Sequence, residues 1–180
     1  MHPFHPGRVG LAAGALVLFN AGGVPPALDV LFAARWMPWS GLVVRALGAL
    51  PLLSPQVSAS EGSATVSATM VGGSVDWRFT SEASPWRAST GAGAAAARVG
   101  TSGTATPPNI SSSGEAITLA PFLKAQASRA LGTPHVRLGI EGMLGTTFPE
   151  VGIHFAGREV ARWGRPLGGV ALVVEFDGAQ

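Results

Sequence analysis

The chain has 180 residues, room for one domain with an N-terminal addition or for two very small domains. Only 12% of them are charged, against about 25% in an ordinary soluble protein, and glycine (25) and proline (14) are plentiful. The twelve Lys and Arg residues form no run, which argues against a nucleic-acid surface, and the absence of Cys excludes a disulfide scaffold, a thiolate metal site and a Cys nucleophile.

The pI of about 10.4 does not mark a strongly basic protein, because the formal net charge is only +2. With no Tyr, no Cys and a single lysine, Lys124, little titrates between neutrality and the Arg range. So lightly charged a chain fits a surface covered by lipid or by partner subunits.

From Val9 to Leu28 no charge interrupts the chain between Arg8 and Asp29. Pro25-Pro26 would end a helix, and Val9 to Val24 as helix would span about 24 Å, short of a hydrocarbon core of roughly 30 Å. Three readings fit this run: a membrane anchor or re-entrant helix, a cleaved export signal, and a buried core helix. The apolar character continues to Leu53, where Leu28, Leu31 and Phe32 recur at helical spacing. Trp36 and Trp39 beside Arg35 suit a membrane–water boundary. Ser40 is placed to cap a second helix, Gly41 to Leu50, that Pro51 would stop. Leu18, Phe19, Phe32, Trp36 and Trp39 are therefore the candidate membrane or partner interface.

Beyond Gln56 the texture turns β-like. Val57 to Val71, the Gly72-Gly73 turn signal and Val75-Asp-Trp-Arg-Phe79 read as a hairpin. In its second strand Val75, Trp77 and Phe79 share one face, and Asp76 and Arg78 occupy the other as expected exposed charges. Residues 81–114, rich in Ser, Thr, Ala and Gly, read as a long linker with one weak strand near Arg98 to Thr106. Ile117 to Leu119 reads as a short strand. Pro121 then starts a short helix, Phe122 to Leu131, closed by Gly132. Strict alternation predicts strands at Val136 to Glu141, Val151 to Phe155 and Val170 to Asp177, with a weaker one at Glu159 to Trp163.

No catalytic constellation emerges. A phosphate-binding loop, a nucleophile elbow and paired metal-binding histidines are all missing from the sequence. His135 and His154, even with Glu141 or Glu150 nearby in space, read as ordinary strand residues. Glu175 and Asp177 read as the solvated face of the last strand. No cofactor or metal is expected.

An apolar N-terminal segment, small-residue strands, Gly73-Ser-Val-Asp-Trp-Arg-Phe79 and the later turn Gly164-Arg-Pro-Leu-Gly168 together resemble the type II secretion protein N family. The resemblance implies an inner-membrane anchor carrying a periplasmic β-rich domain that serves an envelope machine. It carries over no functional residues.

The expectation is thus a mainly β protein, with an apolar helical membrane-associated segment over residues 1–53. A small antiparallel β domain with one short helix follows over 54–180. Its expected role is that of a non-enzymatic accessory subunit in a membrane complex, packing against other subunits and the lipid bilayer. The alternative is an exported or soluble β-rich ligand-binding domain, and a third reading is an enzyme with a dispersed site.

Overall fold

A computed structural model describes residues 8–39, 41–60, 62–80, 84–105, 113–155 and 158–178. Among them there are eleven strands and no helix. These are β1 (Arg8–Asn20), β2 (Ala27–Trp39), β3 (Leu42–Leu53), β4 (Gln56–Ala59), β5 (Gly62–Arg78) and β6 (Trp86–Ala105). They continue as β7 (Ser113–Leu131), β8 (Thr133–Gly145), β9 (Val151–Phe155), β10 (Arg158–Trp163) and β11 (Leu167–Asp177).

Eight of these strands close into one antiparallel barrel. Each long strand pairs with its neighbour in sequence, β11 returns to pair with both β8 and β1, and β3 pairs with β5. Closure leaves no free edge along the wall, so nearly every backbone N–H and C=O finds a ladder partner. One irregularity lies at the β3–β5 seam. Pairing runs from Leu42 opposite Trp77 to Ala49 opposite Met70, then resumes through β4 with Gln56 opposite Thr65. Pro51 and Pro55, which lack an N–H, fall in that gap. The Pro55 carbonyl accepts a hydrogen bond from the Val66 N–H at 2.9 Å, which carries the chain across it.

The two ends of the barrel differ. One end carries the start of β1, the end of β11 and the β7–β8 turn at Gly132. That glycine has φ +67°, a left-handed conformation that glycine adopts without steric cost. The other end carries the β1–β2 connection and the insertion that contains β9 and β10. The β9–β10 hairpin is tied to the barrel on two sides: the Arg162 N–H donates to the Gly22 carbonyl at 2.7 Å, and Phe148 bridges Leu119. Its inward residues Val151, Ile153, Ala161 and Trp163 join Leu16, Leu18, Met70, Phe122 and Leu167 in one continuous apolar core. The hairpin therefore seals this end of the lumen.

The expected helices are overturned. The apolar N-terminal run is β1, the stretch around Trp36 is β2, Gly41 to Leu50 lies largely in β3, and Phe122 to Leu131 is the second half of β7. Among the described residues no helix is long and apolar enough to cross a membrane, which overturns the expected transmembrane helix. The run from Val9 to Phe19 hides its two-residue period because both its faces are apolar. Leu16 and Leu18 enter the core, while Val9, Leu11, Val17 and Phe19 face outward. Much of the Ser/Ala/Gly-rich stretch expected as a linker is the twenty-residue strand β6. Residues on both sides of position 53 belong to the same barrel wall.

Candidate functional site

An eight-stranded barrel has an interior just wide enough for side chains to fill. Near the end that carries β1's start, the strands fill it with charge. Six cations (Arg35, Arg45, Arg78, Arg87, Lys124 and Arg137) face four carboxylates (Asp76, Glu141, Glu175 and Asp177) among the described residues there. Arg35 bridges Glu175 at 2.6 Å and Asp177 at 2.5 Å, and Arg87 reaches the second Asp177 oxygen at 2.5 Å. Arg45 pairs with Glu141 at 2.6 Å. Lys124 lies 3.1 Å from Asp76 and 3.3 Å from Glu141. Gln126 and Ser128 donate to Glu175 at 2.6 and 3.1 Å, and Arg137 donates to the Pro85 carbonyl at 2.7 Å.

Glycine makes room for this network. A Cβ on Gly10 would stand 2.6 Å from Arg35 Nε, and one on Gly91 would stand 2.3 Å from Asp76 Oδ1. Charged groups this deep are costly unless paired, and the closed wall leaves water little access. Towards the other end, the interior becomes the apolar core under the β9–β10 hairpin. Together the two zones plug the lumen.

The outer surface is the reverse. Leu11, Val17, Phe32, Val71, Val75, Leu123, Ile140, Leu144, Val170 and Leu172 all stand exposed on the wall. Near the charged end the band is edged by Trp36, Trp39, Trp77, Phe79 and Trp86, with the Arg129 guanidinium 5.4 Å from the Trp86 ring centre. Towards the other end stand Phe19 and Phe148, the latter under the Arg165 guanidinium at 4.6 Å. The outward residues of β1 run from Val9 to Phe19. Ten steps of about 3.3 Å on a strand tilted about 40° give a band of roughly 25 Å. Beyond it β5, β6 and β7 continue with Thr65, Ser67, Ser102 and the exposed Arg98–Glu115 pair at 2.6 Å.

Of the five residues singled out from the sequence, Phe19, Phe32, Trp36 and Trp39 are outward, Trp39 at 70% exposure. Leu18 points into the core at 2%. Sequence reasoning missed Trp77, Phe79 and Trp86. For Trp77 and Phe79 the signal is the alternation in Val75 to Phe79, whose polarity runs opposite to the expected one: Asp76 is 1% exposed and Trp77 58%. Glu175 and Asp177, expected on a solvated face, are likewise inside. His135 and His154 are exposed and stand apart from Glu141, which belongs to the charged network; His154 has Glu159 at 3.9 Å. No group among the described residues is arranged to hold a metal ion.

No protein-family model and no curated protein matches this chain. Solved structures do. A major outer membrane protein from Thermus thermophilus superposes with a TM-score of 0.71 at 12% identity, covering 97% of this chain and 100% of that one. Neisserial surface protein A gives 0.63 at 14% identity, over 94% and 96% of the two chains. The outer membrane protein OprG from Pseudomonas aeruginosa gives 0.62 at 10%, over 97% of each. At these identities the likeness establishes the fold, and the fold is that of outer-membrane β-barrels. It overturns the resemblance to the type II secretion protein N family, and with it the inner-membrane anchor and periplasmic domain. The apolar segment that was to be the anchor is one stave of the barrel.

Proposed function

We propose that this chain is a non-enzymatic integral protein of an outer membrane, crossing the bilayer as a sealed barrel. The observation that carries the reading is the inverted polarity of the wall: carboxylates and guanidinium groups inside, a continuous apolar band outside. A water-soluble barrel places them the other way round. Phe19, Phe32, Trp36 and Trp39 are the proposed lipid contacts among the residues first singled out, joined by Trp77, Phe79 and Trp86. Leu18 serves the interior. By the general asymmetry of such barrels, which carry their larger insertions outside, the β9–β10 hairpin lies on the outside and the charged interior on the periplasmic side.

The plugged lumen supports a structural or surface-display role over that of an open pore. Service as an accessory subunit of a larger assembly is the finer part of the proposal. The polar extension of β5–β7 beyond the band is the surface available for it. Electrophoresis in dodecyl sulfate with and without boiling tests the reading on protein extracted from outer-membrane fractions. The expected result is a compact, faster-migrating form that converts to the unfolded position only on heating. Recovery of the protein in the soluble fraction, with no such conversion, would refute it.

A further inference from the structure

We infer that each rim of the apolar band holds the phosphate of a lipid headgroup, at Arg165 on the hairpin end and at Arg129 on the charged end. The inference rests on the membrane reading above. Both side chains are exposed. Each lies on an aromatic ring at the band's edge: the Arg165 guanidinium is 4.6 Å from the Phe148 ring centre, and that of Arg129 is 5.4 Å from the Trp86 ring centre. Leu119, which bridges Phe148, and Arg129, which pairs with Trp86, lie on the same strand, β7. Ten steps separate them, and on a strand tilted about 40° that spans roughly 25 Å, the height of the apolar band in such barrels. The two guanidinium groups therefore stand one at each headgroup level.

Two other exposed arginines, Arg98 and Arg162, are paired with Glu115 and Glu159. Arg165 and Arg129 have no carboxylate partner among the described residues. Arg165 is also held still. Its Nε donates to the Thr147 carbonyl at 3.0 Å, and the buried Thr147 is itself fixed, its N–H donating to the Gly164 carbonyl at 2.8 Å. A long exposed side chain ordinarily loses rotamer freedom when it binds a ligand, and here folding has already removed much of it. With Nε taken, the two terminal nitrogens remain as a planar pair of donors that matches two phosphate oxygens. Phosphate is the acceptor that a bilayer presents at the depth where the aromatic girdles sit. Water there would satisfy the N–H groups but would leave a cation unpaired beside a low-dielectric layer, where a charge pair is worth more than in bulk water.

Phosphatidic acid is the probe, with diacylglycerol as its phosphate-free counterpart. The whole protein, purified in a neutral detergent, is mixed with each lipid, and the lipids retained are counted by native mass spectrometry. We expect two molecules of phosphatidic acid to be retained in preference to diacylglycerol. Arg165→Gln and Arg129→Gln should each weaken one of the two by about tenfold, the double variant should weaken both, and Arg98→Gln, which removes a cation already paired, should weaken neither. The boiling test run on the same samples keeps the two readings apart. A wild-type protein that fails it refutes the membrane reading, whereas a compact wild type without selective retention refutes this inference alone. Equal retention by all variants, an equal loss in Arg98→Gln, equal retention of diacylglycerol, or displacement of the lipid by an equal concentration of inorganic phosphate would each overturn it.

Discussion

At the scale of single residues, the same chemistry has opposite consequences on the two sides of the wall. Glu175 is buried and accepts from Arg35, Gln126 and Ser128. Replacing it with Leu would leave Arg35 with Asp177 alone and orphan two further donors. Glu175→Leu should therefore cost about 3–5 kcal/mol, read from urea titration of the protein folded in lipid vesicles. The Arg98–Glu115 pair has ideal length yet stands in solvent, with both side chains more than half exposed. Removing it by Arg98→Gln should leave the same titration curve unchanged. On the outer band the penalty runs the other way. Leu172 lies midway along β11 and faces outward. Leu172→Arg should destabilise the vesicle-folded protein by about 2–4 kcal/mol, the cost of a guanidinium at the bilayer midplane, whereas Leu172→Ile should be nearly silent.

At the scale of elements, what could be read depended on whether the two faces of a strand differ in polarity. Val75 to Phe79, Val136 to Glu141 and Val170 to Asp177 were legible as strands because charged and apolar residues alternate in them. Which face was buried was not legible, since the alternation looks the same for a soluble sheet and for a barrel turned inside out. From sequence β1 reads as helix because Leu16 and Leu18 inside are as apolar as Val17 and Phe19 outside, and no period survives. The second half of β7 reads as helix because Leu123, Ala127 and Leu131 happen to fall at helical intervals. β6 reads as linker because Gly91 to Ala97 offers so little side chain. In the barrel that smallness is a packing requirement, since Gly91 lies under Asp76 and Gly93 under Phe122. Gly91→Leu should displace Asp76 from Lys124 and lower the melting temperature by several degrees, as overpacking by about 1–3 kcal/mol does. Ala92→Val, one residue along and facing outward, should leave it unaltered.

At the scale of the whole molecule, the low charge content takes on a specific meaning. On the proposed reading the outer face lies in lipid, so the wall needs few charges, and most of those it has are concentrated in one interior zone or beyond the band. Composition points to a surface covered by lipid or by partner subunits; it does not point to a barrel. Closure depends on β11 returning to β1 across most of the chain's length, a pairing that no local pattern announces. The absence of Cys gives direct access to the central claim, because single cysteines can be introduced and spin-labelled without background. Labels at Val170, Leu172 and Ile140 in the vesicle-bound protein should collide readily with oxygen and hardly at all with a water-soluble nickel chelate, while a label at Ser102 should show the reverse. Ready nickel collision at all four positions would mean that the apolar band faces water, and the account would be wrong.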